Sequence, residues 1–288
     1  MTRLLLIATI LLALFHPLLT PEPVPTAGIG VCHWIPPNPD GFTWAYETSI
    51  GRGVTWTELE PRPGWYDFRP LDAFMAEMQG KGVRVWAGLQ TSDVDLYGRP
   101  KAPLWLRDMG AEWHTGACSK TGMFAPWDPI YLDRLGLLLR ELGQHIHGNP
   151  ALYAPLAGIV MPSGGPYGEL QLWSCSMSET LQRHYGLTEP ALLSLYVSGV
   201  TYVLDLHMHH LDLPIMFQLG LHRTPAELHA QRQLVWYAVD RYPDRIMLKW
   251  NGWDPGALAL PTYHELYQDY ASEVQVEEIG RASCRERV

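Results

Sequence analysis

Glu169 is the one carboxylate in 160-VMPSGGPYGELQLW-173, where an apolar run breaks into a loop of glycines and proline flanked by Tyr167 and Trp173. Aromatic neighbours can partly desolvate such a group and raise its pKa, so that it protonates a leaving oxygen. Two-carboxylate cleavage of a glycosidic bond is a chemistry that uses such an acid. It needs a second carboxylate about 5–5.5 Å away for retention, or about 6.5–9.5 Å for inversion. The same Glu169 could instead cap the helix that follows, since negative charge near a helix start is stabilising.

Other residues could line the same site. Trp34, Trp56, Trp86, Gln218, Trp250 and Asn251 fall at or near the ends of apolar runs. The indoles could stack on sugar rings or simply pack, and each amide side chain both donates and accepts hydrogen bonds. Trp105, Trp173 and Trp253 extend the set, and at least three of these tryptophans are expected to line one concavity. Asp254 is the best visible second acid. Glu58 and Glu60 are also acidic, but Glu60 precedes Pro61 and reads as turn chemistry. In 207-HMHHLD-212, His207 and His210 have helical spacing, yet they lie where a helix ends, a position favourable to cations without any metal. No metal site or cofactor is expected. No Gly-x-Ser-x-Gly elbow supports serine chemistry, and no Gly-x-Gly-x-x-Gly follows the first apolar run.

The elements that must hold these residues alternate. Strands are expected near 28–34, 52–59, 82–89, 156–162, 213–220 and 245–252, with helices near 69–79, 128–147, 190–211 and 224–241. The last helix carries the clearest start signal, with Thr224 as N-cap, Pro225 in the first turn and Glu227 completing a capping box. Such alternation indicates parallel strands joined by crossover helices. The loops after strands are long, the largest running from Gln90 to Asp128. In a barrel of this type, post-strand loops build the active face.

The chain has 288 residues, 47% hydrophobic, with 12 Trp and 14 Tyr against 6 Phe and a net charge of −9. That is ample for one α/β barrel, and the acidic balance without a basic block argues against nucleic acid or an anionic membrane as partner. Residues 1–26 read as a secretory signal or anchor, with Arg3, the run 4-LLLIATILLALF-15 and a proline-rich spacer. A secreted or membrane-anchored extracytoplasmic location follows. The four cysteines have no metal spacing, and Cys118 and Cys175 could pair.

Several segments together resemble clan A glycoside hydrolases, the β-galactosidase-like members closest. They are 56-WTELEPRPGWYDF-68, 71-LDAFMAEMQGKGVRVWAGL-89, 103-PLWL-106, 126-PWDPIYLDRL-135 and 164-GGPYGELQLW-173. The resemblance spans roughly residues 28–255. It implies a (β/α)8 barrel, with an acid/base Glu ending the fourth strand and a nucleophile Glu ending the seventh. Glu169 lies just beyond the fourth expected strand; Gly168 stands where many such enzymes carry Asn.

The expectation is therefore an α/β chain of TIM-barrel type, incomplete, with about six of eight βα units over residues 27–277. The expectation is an exported glycosidase of β-linked glycans, with Glu169 as acid/base by the resemblance and Trp34, Trp56, Tyr167, Trp173, Gln218, Trp250 and Asn251 at the substrate by their positions near strand ends and in the Glu169 loop. The partner would be an oligo- or polysaccharide. A non-catalytic carbohydrate-binding or cell-surface barrel is the alternative. Residues 278–288 have neither strand nor helix periodicity, and 279-IGRASCRERV-288 back-translates into a string resembling a sequencing adapter. The natural chain is accordingly expected to continue past about Glu277, the present one to lack the nucleophile and activity, and the barrel to stop after six strands.

Overall fold

The computed structural model describes residues 44–47, 54–80, 84–91, 100–117, 122–161, 176–219, 224–250 and 275–277. Its frame is a parallel sheet. β1 (Trp44–Glu47) and β2 (Val54–Thr55) both flank β3 (Arg84–Gln90). The order then continues through β6 (Leu156–Val160), β7 (Ile215–Leu219), β8 (Ile246–Trp250) and β9 (Gln275–Glu277). A separate antiparallel hairpin, β4 (Trp113–Thr115) with β5 (Gly122–Phe124), rises from the long connection after β3. This is the expected α/β arrangement of barrel type, seen as a partial barrel.

Helices α2 (Arg69–Gly80), α4 (Pro129–Gly148), α6 (Glu189–Leu211) and α7 (Pro225–Arg241) lie within a residue of the positions expected from sequence. Their starts are set by local chemistry. The Asp128 carboxylate accepts from Tyr131 N at 2.7 Å while Pro129 opens α4, and the Thr224 hydroxyl accepts from Glu227 N at 3.2 Å at the start of α7. On α4, Leu135, Leu138, Leu139, Leu142 and Ile146 form the buried stripe that meets the core. Full burial of each such side chain is worth about 1.5–3 kcal/mol.

The strands divide the core in two. Val85, Ala87, Leu89, Ile215, Phe217, Ile246 and Leu248 join the helices in the larger cluster. Trp86, Ala157, Val160, Met216 and Met247 form a smaller one. Alternation along the strands puts that second set on the opposite face, which a barrel turns inward. A register shift makes β6 fit both clusters: Val85 pairs with Leu156, but Trp86 pairs with Gly158. One extra residue on β6 thus returns Ile159 to the helix-facing side. A Cβ on Gly158 would sit 2.3 Å from the Trp86 ring and 2.4 Å from the Pro214 carbonyl, so glycine is what admits the indole.

Three expectations are corrected. The segment 52–59 is strand only at Val54–Thr55 and turns into helix α1 (Trp56–Leu59). Thr55 caps that turn, with Glu58 N donating to its hydroxyl at 3.2 Å and Thr55 N donating to the Glu58 carboxylate at 3.1 Å. Trp56, expected against substrate, is fully buried, because the same turn drives its ring into the core against Tyr131. The strand count also changes, since β9 follows the strand counted sixth and pairs with β8, Lys249 opposite Glu277.

Candidate active site at the strand ends

Because the strands are parallel, their C-terminal ends share one edge. Gln90 ends β3, Gln218 is the penultimate residue of β7, Trp250 ends β8 and Glu277 ends β9. The segment carrying Tyr167, Glu169 and Trp173 leaves β6 at this edge; these three residues, with Trp34, Asn251, Trp253, Asp254, Cys118 and Cys175, lie outside the described residues. The backbone therefore brings the origin of the Glu169 loop and the end of β9 to the same side of the sheet.

Gln90 was not expected at this site. It is buried, and its side-chain oxygen has no hydrogen-bond partner among the described residues. Beside it Thr91 receives the Tyr131 hydroxyl at 3.2 Å, and burial pushes that phenol up to about 12. A neutral Tyr131 donor and the free Gln90 oxygen are fixed polar groups at the end of β3. The sequence signal was present, a glutamine closing an apolar run, but equally common at any strand end.

The run that carries much of the family resemblance serves structure. Glu60 is fully buried, and its carboxylate accepts from Trp56 Nε1 at 2.9 Å, from Gly64 N at 2.8 Å and from the Arg134 guanidinium. Its carbonyl accepts from Trp105 Nε1 at 3.1 Å, and Arg134 stacks over the Trp105 ring. The turn-forming role expected of Glu60 is what the geometry displays. Trp56, Trp86 and Trp105 accordingly occupy packing positions: the first two are buried in separate clusters, and the third lies against Arg134. The concavity expected of at least three tryptophans involves Trp34, Trp173 and Trp253 as well, which lie outside the described residues.

A second polar group joins the β4–β5 hairpin to α5 (Met177–Tyr185). The Tyr185 hydroxyl donates to the Glu112 carboxylate, receives Trp127 Nε1 at 3.3 Å and lies 3.1 Å from His114 Nε2. Since the hydroxyl proton goes to Glu112, His114 Nε2 is the donor in that last contact. The His114 and His184 rings meet edge to face, with centroids 4.8 Å apart. Burial, then the neighbouring His184, push the His114 pKa below its ordinary value, against the opposing pull of Glu112. Asp128 completes the join, accepting from Glu112 N at 3.3 Å while it caps α4. About seventy positions separate His114 from His184, so no spacing motif could announce the cluster.

The His-rich run has another explanation. His207 is fully buried on α6, and its Nδ1 donates to the Val203 carbonyl at 2.7 Å, a bond within its own helix.

No family model matches the chain, and no curated protein matches it. Solved structures do match in fold. The catalytic domain of β-amylase from Paenibacillus polymyxa superposes with a TM-score of 0.55 at 12% identity, over 82% of this chain and 77% of that one. The two share a barrel fold of alternating strands and helices. β-Galactosidase from the psychrophilic Marinomonas ef1 gives 0.47 at 13% identity, over 75% of this chain and 37% of that one. Xylanase XynB from Paenibacillus barcinonensis gives 0.48 at 13% identity, over 81% and 60%. The chain thus spans little more than a third of that β-galactosidase. The fold assignment rests on the first of the three.

Proposed function

We propose that this chain carries the barrel of a glycoside hydrolase that cleaves a β-linked glycan with two carboxylates, Glu169 as general acid/base and Glu277 as nucleophile. One observation carries the reading: β9 lies beside β8 and ends on Glu277, at the edge where β6 opens into the Glu169 loop. Among the six expected strands β6 is the fourth, and β9, which was not expected, adds a seventh after them. Those are the two strand ends at which the resembled family holds its catalytic pair. In this reading the nucleophile, expected to be missing from the chain, is Glu277.

In the first step Glu169 donates its proton to the glycosidic oxygen while the Glu277 carboxylate attacks the anomeric carbon, and the aglycone leaves. In the second, Glu169 takes a proton from water, which displaces Glu277 and releases the sugar. In this reading Gln90 bonds a substrate hydroxyl, and Gln218, Trp250 and Asn251 contact the sugar from the neighbouring chain segments. Export through residues 1–26 is part of the proposal, and places the substrate outside the cytoplasm.

The test is kinetic. Glu169→Gln should slow hydrolysis of an unactivated β-linked oligosaccharide by about 10²-fold or more. It should spare the first step on a dinitrophenyl glycoside, whose leaving group needs no acid. Glu277→Gln should abolish turnover of both substrates, whereas Glu278→Gln should leave them unchanged. Sugar binding with no hydrolysis by the wild-type chain would favour the binding-protein alternative. Full activity in either Glu169→Gln or Glu277→Gln would refute the assignment of that residue.

A further inference from the structure

Glu112, His114 and His184 present a carboxylate oxygen and two imidazole nitrogens that all lie within 4.8 Å of one another. Two come from one extended segment at i and i+2, which puts them on the same face, and the third comes from the end of α5. We infer that this trio is a binding site for a zinc-class divalent cation, which fastens the hairpin after β3 to the helix that follows the Glu169 loop.

The geometry is near what such an ion needs. A tetrahedral zinc centre with bonds of about 2.0–2.2 Å spaces its ligand atoms about 3.3 Å apart. The Glu112 oxygen and His114 Nε2 are already 3.7 Å apart. His184 and Glu112 are exposed and free to make the remaining adjustment, whereas His114 is held by burial. Two imidazoles and one carboxylate suit zinc, cobalt or nickel better than magnesium or calcium, which prefer oxygen ligands throughout. A fourth position is left to water.

The supporting groups are in place as well. Metal sites hold their ligands through outer hydrogen bonds, and here Trp127 Nε1 bonds the Tyr185 hydroxyl, which bonds Glu112. On binding, His114 would move its proton from Nε2 to Nδ1 and offer the Nε2 lone pair, with no net proton released. The Tyr185 hydroxyl would keep its bond to Glu112.

The 288-residue chain, stripped with a chelator, would be titrated with Zn²⁺ against a chromophoric competitor, and with Co²⁺ while visible absorption is followed. The expected result is one ion per chain, a higher melting temperature with Zn²⁺, and the d–d bands of a four-coordinate centre with Co²⁺. His184→Ala and Glu112→Gln alter exposed side chains, so their folding should survive, as circular dichroism would verify. Each should remove stoichiometric binding, as should His114→Ala if it folds. Tyr185→Phe should weaken binding about tenfold. The His209→Ala/His210→Ala double variant, which removes another pair of neighbouring imidazoles, should bind as the wild type does. Less than one equivalent bound, or binding that survives His184→Ala, would overturn the site. So would binding lost with His209 and His210. These readouts need no glycan, so they stand or fall apart from the proposed hydrolysis.

Discussion

The Arg134 guanidinium donates to the Glu60 carboxylate, a charge with no exposure to solvent, and the pair ties the turn after β2 to helix α4. The same carboxylate also holds Trp56 and Gly64, so three groups converge on this one side chain.

Glu60→Ala would leave Arg134, only 12% exposed, without its counter-charge. Removing one partner of a buried pair costs about 3–5 kcal/mol. Urea unfolding of Glu60→Ala and Arg134→Ala should each show a loss of that order, and the double variant should lose less than the sum. Additive losses would mean that the two groups do not act as a pair.

Gly158→Ala would push a methyl group into Trp86 and the Pro214 carbonyl. Overpacking of this kind costs about 1–3 kcal/mol. Trp86→Phe in the same chain should recover part of the loss, because the ring then withdraws but the carbonyl stays. The check is the denaturation midpoint of the two variants.

His207 is held down to about 4 by burial, while its Nδ1–H bond to Val203 pulls weakly the other way. The unfolded chain protonates this imidazole near pH 6.5, so between about 6.5 and 4 the unfolded state binds more protons. The stability tied to neutral His207 is therefore complete above about pH 6.5 and is lost as pH falls toward 4, by up to about 3 kcal/mol. His207→Leu should flatten the stability profile across that window. It also removes the Nε2 atom that has no partner among the described residues. Identical slopes for the variant and the wild type, measured by chemical denaturation at several pH values, would contradict this.

Thr224 caps α7 and also donates to Glu189 at the start of α6 at 3.0 Å. Thr224→Ala should cost about 1 kcal/mol for the cap alone. Thr224→Ser keeps both bonds and should stay near the wild type. Thermal melts of the two variants distinguish capping from loss of the methyl group.

Much of the scaffold was legible in the chain. The 3.6-residue stripe of α4, the Thr224-Pro225 start of α7 and the apolar runs of β3, β6, β7 and β8 are local signals, set by neighbours a few residues apart. Glu60 as a turn residue was legible for the same reason. The resemblance carried in residues 56–68 pointed to the barrel. Trp56, Leu59 and Glu60 of that run prove to be buried framework, with Trp56 in the core where a sugar platform was expected.

What the chain by itself determined, then, is the four long helices, the strands β3, β6, β7 and β8 and that these strands run parallel, because propensity, caps and periodicity act over short distances. Only the tertiary structure decided which indoles are buried and that Arg134 answers Glu60 across 74 positions. It also decided that Glu112, His114 and His184 meet, and that the three residues ending at Glu277 add a strand beside β8. Those outcomes depend on contacts between segments far apart in sequence. A strand as short as β9 is specified by the sheet edge it completes rather than by its own pattern.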